Sequence, residues 1–240
     1  GLCLDDRNYI GIFPLKGKLM NVRGEKTKRI IENKEIVDIK RIIGLETNKI
    51  YTENTITNLR YGKIIFMTDQ DLDGSHIKGL GLNLFHTLWP SILKLNVIGY
   101  MNTPIIKVTK KNKEHIFYSE LDYIDWKSSN DTCGWRIKYY KGLGTSTSKE
   151  FKEYFRDRKM ITFVHDDKSD DCIDMVFNKK RSNDRKKWLT SGYDIKKRII
   201  CNNNNCTVDE FINHELIHFS KYDCDRSIPS LLDGLKTCQR

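Results

Sequence analysis

The sequence predicts an α/β fold, and three observations predict it. Lys63 to Thr68 is a compact run centred on Ile64-Ile65-Phe66-Met67, the pattern of a buried parallel strand. An acidic turn follows, and Gly74-Ser75 lead into a helical stretch that runs through Trp89 and is closed by Pro90. Strand, turn and helix in that order make an α/β unit. A second β-like run, Ile105 to Thr109, can pair with Ile116 to Tyr118 across a polar turn.

The remaining elements follow along the chain. Ile10 to Leu15 is apolar, and a basic run follows: Lys16, Lys18, Arg23, Lys26, Lys28 and Arg29 with one acid, Glu25. Residues 34–45 alternate apolar and charged positions at helical spacing. Lys141 to Gly144 reads as a glycine-rich loop and Ser148 to Arg158 as a charged helix. Residues 178–198 hold nine Lys or Arg against Asp184 and Asp194. Asn202 to Asn205 is a polar break of linker type, and a new helix begins at Val208. No internal repeat is present.

Composition bounds the function. With 38% hydrophobic and 31% charged residues, the 240-residue chain is of the globular rather than the disordered class. Its net charge of +10 suits a polyanionic partner. No apolar run approaches a bilayer span, and residues 1–10 carry two acids and no signal core, so an intracellular chain with no membrane partner is expected. Seven cysteines without a secreted-scaffold spacing fit reduced thiols in cytosol or nucleus. Gly1 opens no cap and Arg240 stops inside a patterned segment, so a fragment of a longer protein is expected.

The sharpest feature is Asp69-Gln70-Asp71-Leu72-Asp73-Gly74-Ser75-His76. Three carboxylates at alternate positions leave the end of a strand, where open α/β sheets place ligands. Their mutual repulsion is relieved by a divalent cation, and hard oxygen donors suit Mg²⁺ or Mn²⁺. Asp69, Asp71, Asp73 and Gly74 also match the first half of an EF-hand loop. That loop needs Glu at its twelfth position, where this chain has Leu80, so the Ca²⁺ loop is excluded.

Thr68 to Gly79 resembles the second acidic motif of the TOPRIM domain in eukaryotic-type (type IIA) DNA topoisomerase II. Pro14-Leu15-Lys16-Gly17-Lys18 with Asn21-Val22-Arg23 is similar to that family's DNA-contacting loop. Tyr139-Tyr140-Lys141-Gly142-Leu143-Gly144-Thr145-Ser146 resembles a third signature, and Asp184-Arg185-Lys186-Lys187-Trp188-Leu189 a fourth. Arg226-Ser227-Ile228-Pro229 with Leu232-Asp233-Gly234-Leu235-Lys236 resembles the opening of the winged-helix, DNA-breaking domain. The matches keep the family's order along nearly the whole chain.

The resemblance implies a Rossmann-like TOPRIM domain over 1–180, lacking its first strand and catalytic Glu motif. A basic and polar linker over 181–206 and the start of the winged-helix domain over 207–240 would follow. The parent activity implied is ATP-dependent passage of one duplex through a transient break in another, by a homodimer, in the nucleus. ATP would bind a domain outside this chain. Asp69, Asp71 and Asp73 would hold Mg²⁺, with Mn²⁺ or Ca²⁺ as substitutes. Lys16, Lys18 and Asn21 would grip double-stranded DNA, with Lys141, Lys179, Lys180 and Lys236 as further phosphate contacts, and His76 and Lys78 near the phosphate.

Departures from the family's pattern limit this. No Gly-Asp motif bearing the catalytic Glu precedes Gly11, and the cleaving Tyr lies beyond Arg240, so the stretch alone is expected not to cleave DNA. Cys238 stands where the family has Gly, and Gly24 where it has Glu. The Asn-, Lys- and Ile-rich bias is that of AT-rich coding, as in protists or large DNA viruses such as African swine fever virus; a viral chain would work in host cytoplasm or nucleus.

Two competing functions come from other classes. His214-Glu215-Leu216-Ile217-His218 matches the zinc-peptidase signature on a predicted helix, without a third-ligand motif after it. Cys201, Cys206, His214 and His218 invite a zinc finger, but the seven residues between Cys206 and His214 fall short of the about twelve such a finger needs. A DNA-binding module without metal or catalysis is the other alternative.

Overall fold

The computed structural model of the chain describes residues 5–197, 199 and 204–239. Helices α1 (Thr27–Glu32) and α2 (Lys34–Ile43) precede strand β1 (Ile64–Phe66). Next come α3 (Leu72–Leu88), α4 (Pro90–Lys94), β2 (Ile98–Met101), β3 (Ile106–Lys110) and β4 (Lys113–Phe117). Helix α5 (Glu120–Ser129), β5 (Arg136–Tyr139), α6 (Ser148–Asp157) and β6 (Met160–Val164) follow. Helices α7 (Ser169–Phe177) and α8 (Ser182–Ser191), strand β7 (Asn205–Thr207) and helix α9 (Val208–Phe211) lead to a π-helical turn, Ile212–Leu216, which continues into α10 (Ile217–Ser227).

The main sheet has the order β1-β2-β6-β7. Two of its three pairings, β1 with β2 and β6 with β7, are parallel, and β2 with β6 is antiparallel. β1 is an edge strand, so its residues are half-buried rather than buried as the apolar run suggests. The expected hairpin is present: Ile106 pairs with Phe117 and Val108 with His115, and β5 completes a second sheet of order β4-β3-β5. Ile106, Val108 and Tyr123 form its own small core beneath α5.

α3 organises the larger core. Asp71 starts it with an extended backbone, and its Oδ1 accepts the Gly74 N–H at 2.7 Å, satisfying an amide that the helix leaves unpaired. The helix therefore begins two residues before Gly74-Ser75. It is buried on several sides: Leu82, Leu84 and Phe85 are each 1% exposed. Side chains of this kind contribute about 1.5–3 kcal/mol each by leaving water. Gly81 lets α3 lie on the sheet, since a Cβ there would sit 2.2 Å from the Phe66 ring. Pro90 then opens α4, where a missing N–H costs nothing.

Regular structure runs through the stretch expected as a linker, 181–206, and up to the boundary expected at 207. α8 lies inside the supposed linker, and Trp188 donates its indole N–H to Asn213 Oδ1 at 2.8 Å. β7 is a strand of the main sheet, with Phe163 opposite Cys206. Val208, Phe211, Ile212, Leu216 and Phe219 belong to the same core as α3. A few apolar residues spaced through a basic segment thus tie it into one packed body. Cys201 lies outside the described residues.

Candidate functional site

The acidic run begins where β1 ends and is divided by the first turn of α3. Asp71 caps the helix, its carbonyl accepts the Ser75 hydroxyl at 3.2 Å, and Asp73 lies within the first turn. Gln70, between Asp69 and Asp71, donates to Met101 O at 3.1 Å and fixes the run against the end of β2.

The glycine-rich loop meets this run directly. Gly142 has φ +90, and a Cβ there would sit 2.8 Å from Asp69 Oδ2. Only glycine adopts that backbone without strain and also lets the main chain come so close to a carboxylate. Gln70, Asp71, Ile105, Tyr139, Tyr140, Lys141 and Gly142 line a recess of about 320 Å³ at the same place. The loop that carries Lys141 and the acids at the strand end, far apart in sequence, therefore form one site.

The N-terminal basic loop arrives from the other side. Lys18 Nζ donates to Asp73 Oδ1 at 2.6 Å and lies 5.2 Å from the Phe219 ring centre. Arg226 Nη2 is 4.0 Å from the same Asp73 oxygen. The Lys18 hydrogen bond holds the Asp73 carboxyl below the ordinary carboxylate range, against a smaller opposing effect of burial. Both partners are substantially exposed, so the pair contributes little stability, about 1 kcal/mol at most. It orders charge rather than the fold.

Several of the residues singled out in the sequence have partners within the protein. Asn21 is committed inside the protein: Nδ2 donates to Phe177 O at 3.0 Å, while Oδ1 accepts from Asn83 Nδ2 at 2.9 Å and from the Arg23 N–H at 3.1 Å. These bonds brace the loop against the end of α7. Lys78 is 1% exposed; its Nζ donates to Glu215 Oε1 at 2.5 Å and sits 4.4 Å from the Tyr100 ring centre. Lys16, Lys141, Lys180 and Lys236 are exposed, and Lys179, also exposed, pairs with Glu25 at 2.8 Å.

His76 is half-buried and stacks on Phe219 at 4.1 Å, with Nδ1 buried and without a hydrogen-bond partner. Burial first, and the Lys18 charge second, push its pKa down to about 4. The unfolded chain therefore takes up the proton before the folded one does. Stability present above the ordinary histidine value of 6.5 should fall as pH drops from 6.5 towards 4, by up to about 1.4 kcal/mol per pH unit. In urea unfolding from pH 7 to pH 4.5, His76→Phe should flatten this decline. An unaltered acid limb would refute the assignment.

The peptidase reading fails on geometry. Glu215 is held by Lys78 and by the Ser75 hydroxyl at 2.6 Å, and His218 Nε2 lies 2.9 Å from the Lys197 carbonyl. Among the described residues no group of three or more His, Cys, Asp or Glu is placed to hold a metal ion. That covers the acidic run too: its carboxylates do not converge as a three-ligand cage. Asp69 and Asp71 fit a hard cation in donor chemistry, whereas Asp73 is already matched to Lys18.

Sequence reasoning passed over Glu150 and Tyr140. Glu150 lies in the motif Thr147-x-x-Glu150, whose signal is a capping box, and that box is formed. The Tyr140 hydroxyl donates to the same carboxylate at 2.6 Å, a contact with no local sequence signature.

A family model described as the C-terminal associated domain of TOPRIM matches residues 101–224. Over its full length the chain is 46% identical to DNA topoisomerase 2 of Plasmodium falciparum and 49% identical to DNA topoisomerase 2 of Drosophila melanogaster. It is 47% identical to DNA topoisomerase 2-alpha of Homo sapiens. It spans only 17%, 18% and 17% of the lengths of those three proteins. The solved Plasmodium falciparum topoisomerase II DNA-binding, cleavage and re-ligation domain superposes with a TM-score of 0.86 at 47% identity, covering 93% of this chain and 31% of that one. Among the described residues no helix is long and apolar enough to cross a membrane.

Proposed function

Since the chain belongs to the TOPRIM-associated family, as a TOPRIM segment of the eukaryotic type IIA topoisomerase kind, we propose that it forms the cation-holding and DNA-gripping part of an ATP-dependent type II DNA topoisomerase. The observation that carries this reading is the meeting of Asp69 and Asp71 with the Lys141–Gly142 loop at the end of β1, with Lys18 at the adjoining Asp73.

Asp69 and Asp71 are the residues to hold Mg²⁺, with Mn²⁺ or Ca²⁺ as substitutes, and Asp73 supports them through its pairing with Lys18. A bound divalent cation supplies Lewis-acid stabilisation of charge on a phosphate being cut. Lys16, Lys18, Lys141, Lys179, Lys180 and Lys236 hold the duplex backbone without reading its bases, so affinity should fall steeply with salt. His76 contributes by fixing α3 against Phe219, close to Lys18. ATP binding, the attacking tyrosine and the family's catalytic Glu belong to other parts of the whole protein, which works as a homodimer on double-stranded DNA in the nucleus. Alone, this chain binds DNA and does not cut it.

In the whole protein, Asp71→Ala should abolish Mg²⁺-dependent cleavage of supercoiled plasmid. Linear product at the parent level would contradict the proposal. Salt-sensitive duplex binding with no Mg²⁺ or Mn²⁺ association would favour a DNA-binding module without chemistry.

A further inference from the structure

Glu150 takes hydrogen bonds from both ends of one loop. The Tyr140 hydroxyl donates to Oε1 at 2.6 Å, and the Thr147 N–H and hydroxyl donate to Oε2 at 2.7 and 2.9 Å. Lys138 Nζ adds bonds of 2.7 and 2.8 Å to the two oxygens. Tyr140 and Thr147 bracket residues 141–146, the segment that sets Gly142 against Asp69 and Lys141 beside Asp71. Within it, the Thr145 N–H and hydroxyl donate to Gly142 O at 3.1 and 2.7 Å, so the loop is closed on itself as well.

A capping box requires only the Thr147 contacts. Lys138 and Tyr140 lie on the far side of the loop and do nothing for the start of α6. Their convergence on a side chain only 14% exposed is a separate structural feature. Charge-assisted bonds of this length are among the stronger ones, and a shared acceptor fixes the span between its donors. Beside it, the loop has the Thr145–Gly142 closure and a Ser146–Tyr154 hydroxyl contact at 3.2 Å, neither of them carrying a charge.

We propose that Glu150 is a positioning residue for the acidic site: one carboxylate clamps both ends of the 141–146 loop and so holds Gly142 against Asp69 and Lys141 beside Asp71. The clamp deepens the cation-and-DNA reading above and rests on it for its purpose, though not for its existence.

Two variants separate clamp from cap. Glu150→Gln keeps a capping acceptor but gives up the charge that gathers Lys138 and Tyr140. Tyr140→Phe removes one hydroxyl and leaves the cap untouched. Amide hydrogen exchange on the chain should show Thr145 exchanging about tenfold faster in each variant, the loss of one charge-assisted bond. The amides of β2 should keep the parent rate. The double variant should be no faster than Glu150→Gln alone, because both remove the same interaction.

In parallel, duplex affinity is followed by fluorescence anisotropy across salt concentration. Lys141→Ala should lower the salt slope by about 1 in the parent chain, and by less in the Tyr140→Phe background. Unchanged Thr145 exchange in both variants overturns the clamp, as does equal acceleration of the β2 amides, which would mean a general loss of stability. An unchanged salt slope for Lys141→Ala overturns the nucleic-acid reading of the loop instead, and the exchange data then judge the clamp alone.

Discussion

Glu215→Ala should cost the chain about 3–5 kcal/mol, the range for removing one partner of a buried ion pair. The Lys78 ammonium is 1% exposed, and Glu215 Oε1 is its carboxylate partner. With that oxygen gone, the charge is left facing the Tyr100 and Phe211 rings, 4.4 and 5.8 Å away, which cannot replace a carboxylate. Ser75 loses the shorter of its two acceptors and keeps the Asp71 carbonyl at 3.2 Å, at the start of the helix that Asp71 caps.

Lys78→Met tests the sign of this argument. It removes the buried charge, keeps most of the volume, and leaves Glu215, 25% exposed, to Ser75 and water. Its cost should be the smaller, about 1 kcal/mol, and the double change Lys78→Met with Glu215→Leu should recover most of the loss from Glu215→Ala. Urea midpoints measure all three. Equal midpoints for Glu215→Ala and the parent chain would show the pair to be energetically idle.

The second large effect separates the two roles of Asp71. As a helix cap it is worth about 1 kcal/mol, and Asn caps as well as Asp. Asp71→Asn should therefore melt with the parent protein, whereas Asp71→Ala should lose that kilocalorie. As a cation ligand the carboxylate has no such substitute, because the amide brings one neutral oxygen where the cation needs negative charge. Both variants should lose Mg²⁺-dependent cleavage in the whole protein, and only the alanine variant should lose stability. Cleavage that tracks melting temperature would mean Asp71 matters as a cap alone.

How much of this was legible in the sequence depends on sequence distance. β1 and α3 could be read locally, from four consecutive apolar residues and a helix ending at a proline. The helix starts at Leu72, four residues before the His76 start expected, because Gly74-Ser75 looks like a break whereas the Asp71 side chain opens the first turn. The 181–206 segment read as a linker because its many cations and its asparagine run outweigh Trp188 and Cys206, the residues that tie it to the body. The site divides in the same way. Asp69 and Asp71 stand out by spacing alone. The Lys18–Asp73 pair, the internal bonds of Asn21 and the burial of Lys78 depend on partners 55, 62 and 137 positions away. A lysine is so seldom fully buried that nothing local could have announced Lys78.

Mn²⁺ binding to the whole protein, followed by electron paramagnetic resonance without DNA and compared with Asp71→Asn at equal melting temperature, tests most directly whether the acids at the strand end hold a cation. The account expects saturable binding in the parent protein and its loss in the variant. Equal binding in both would contradict it.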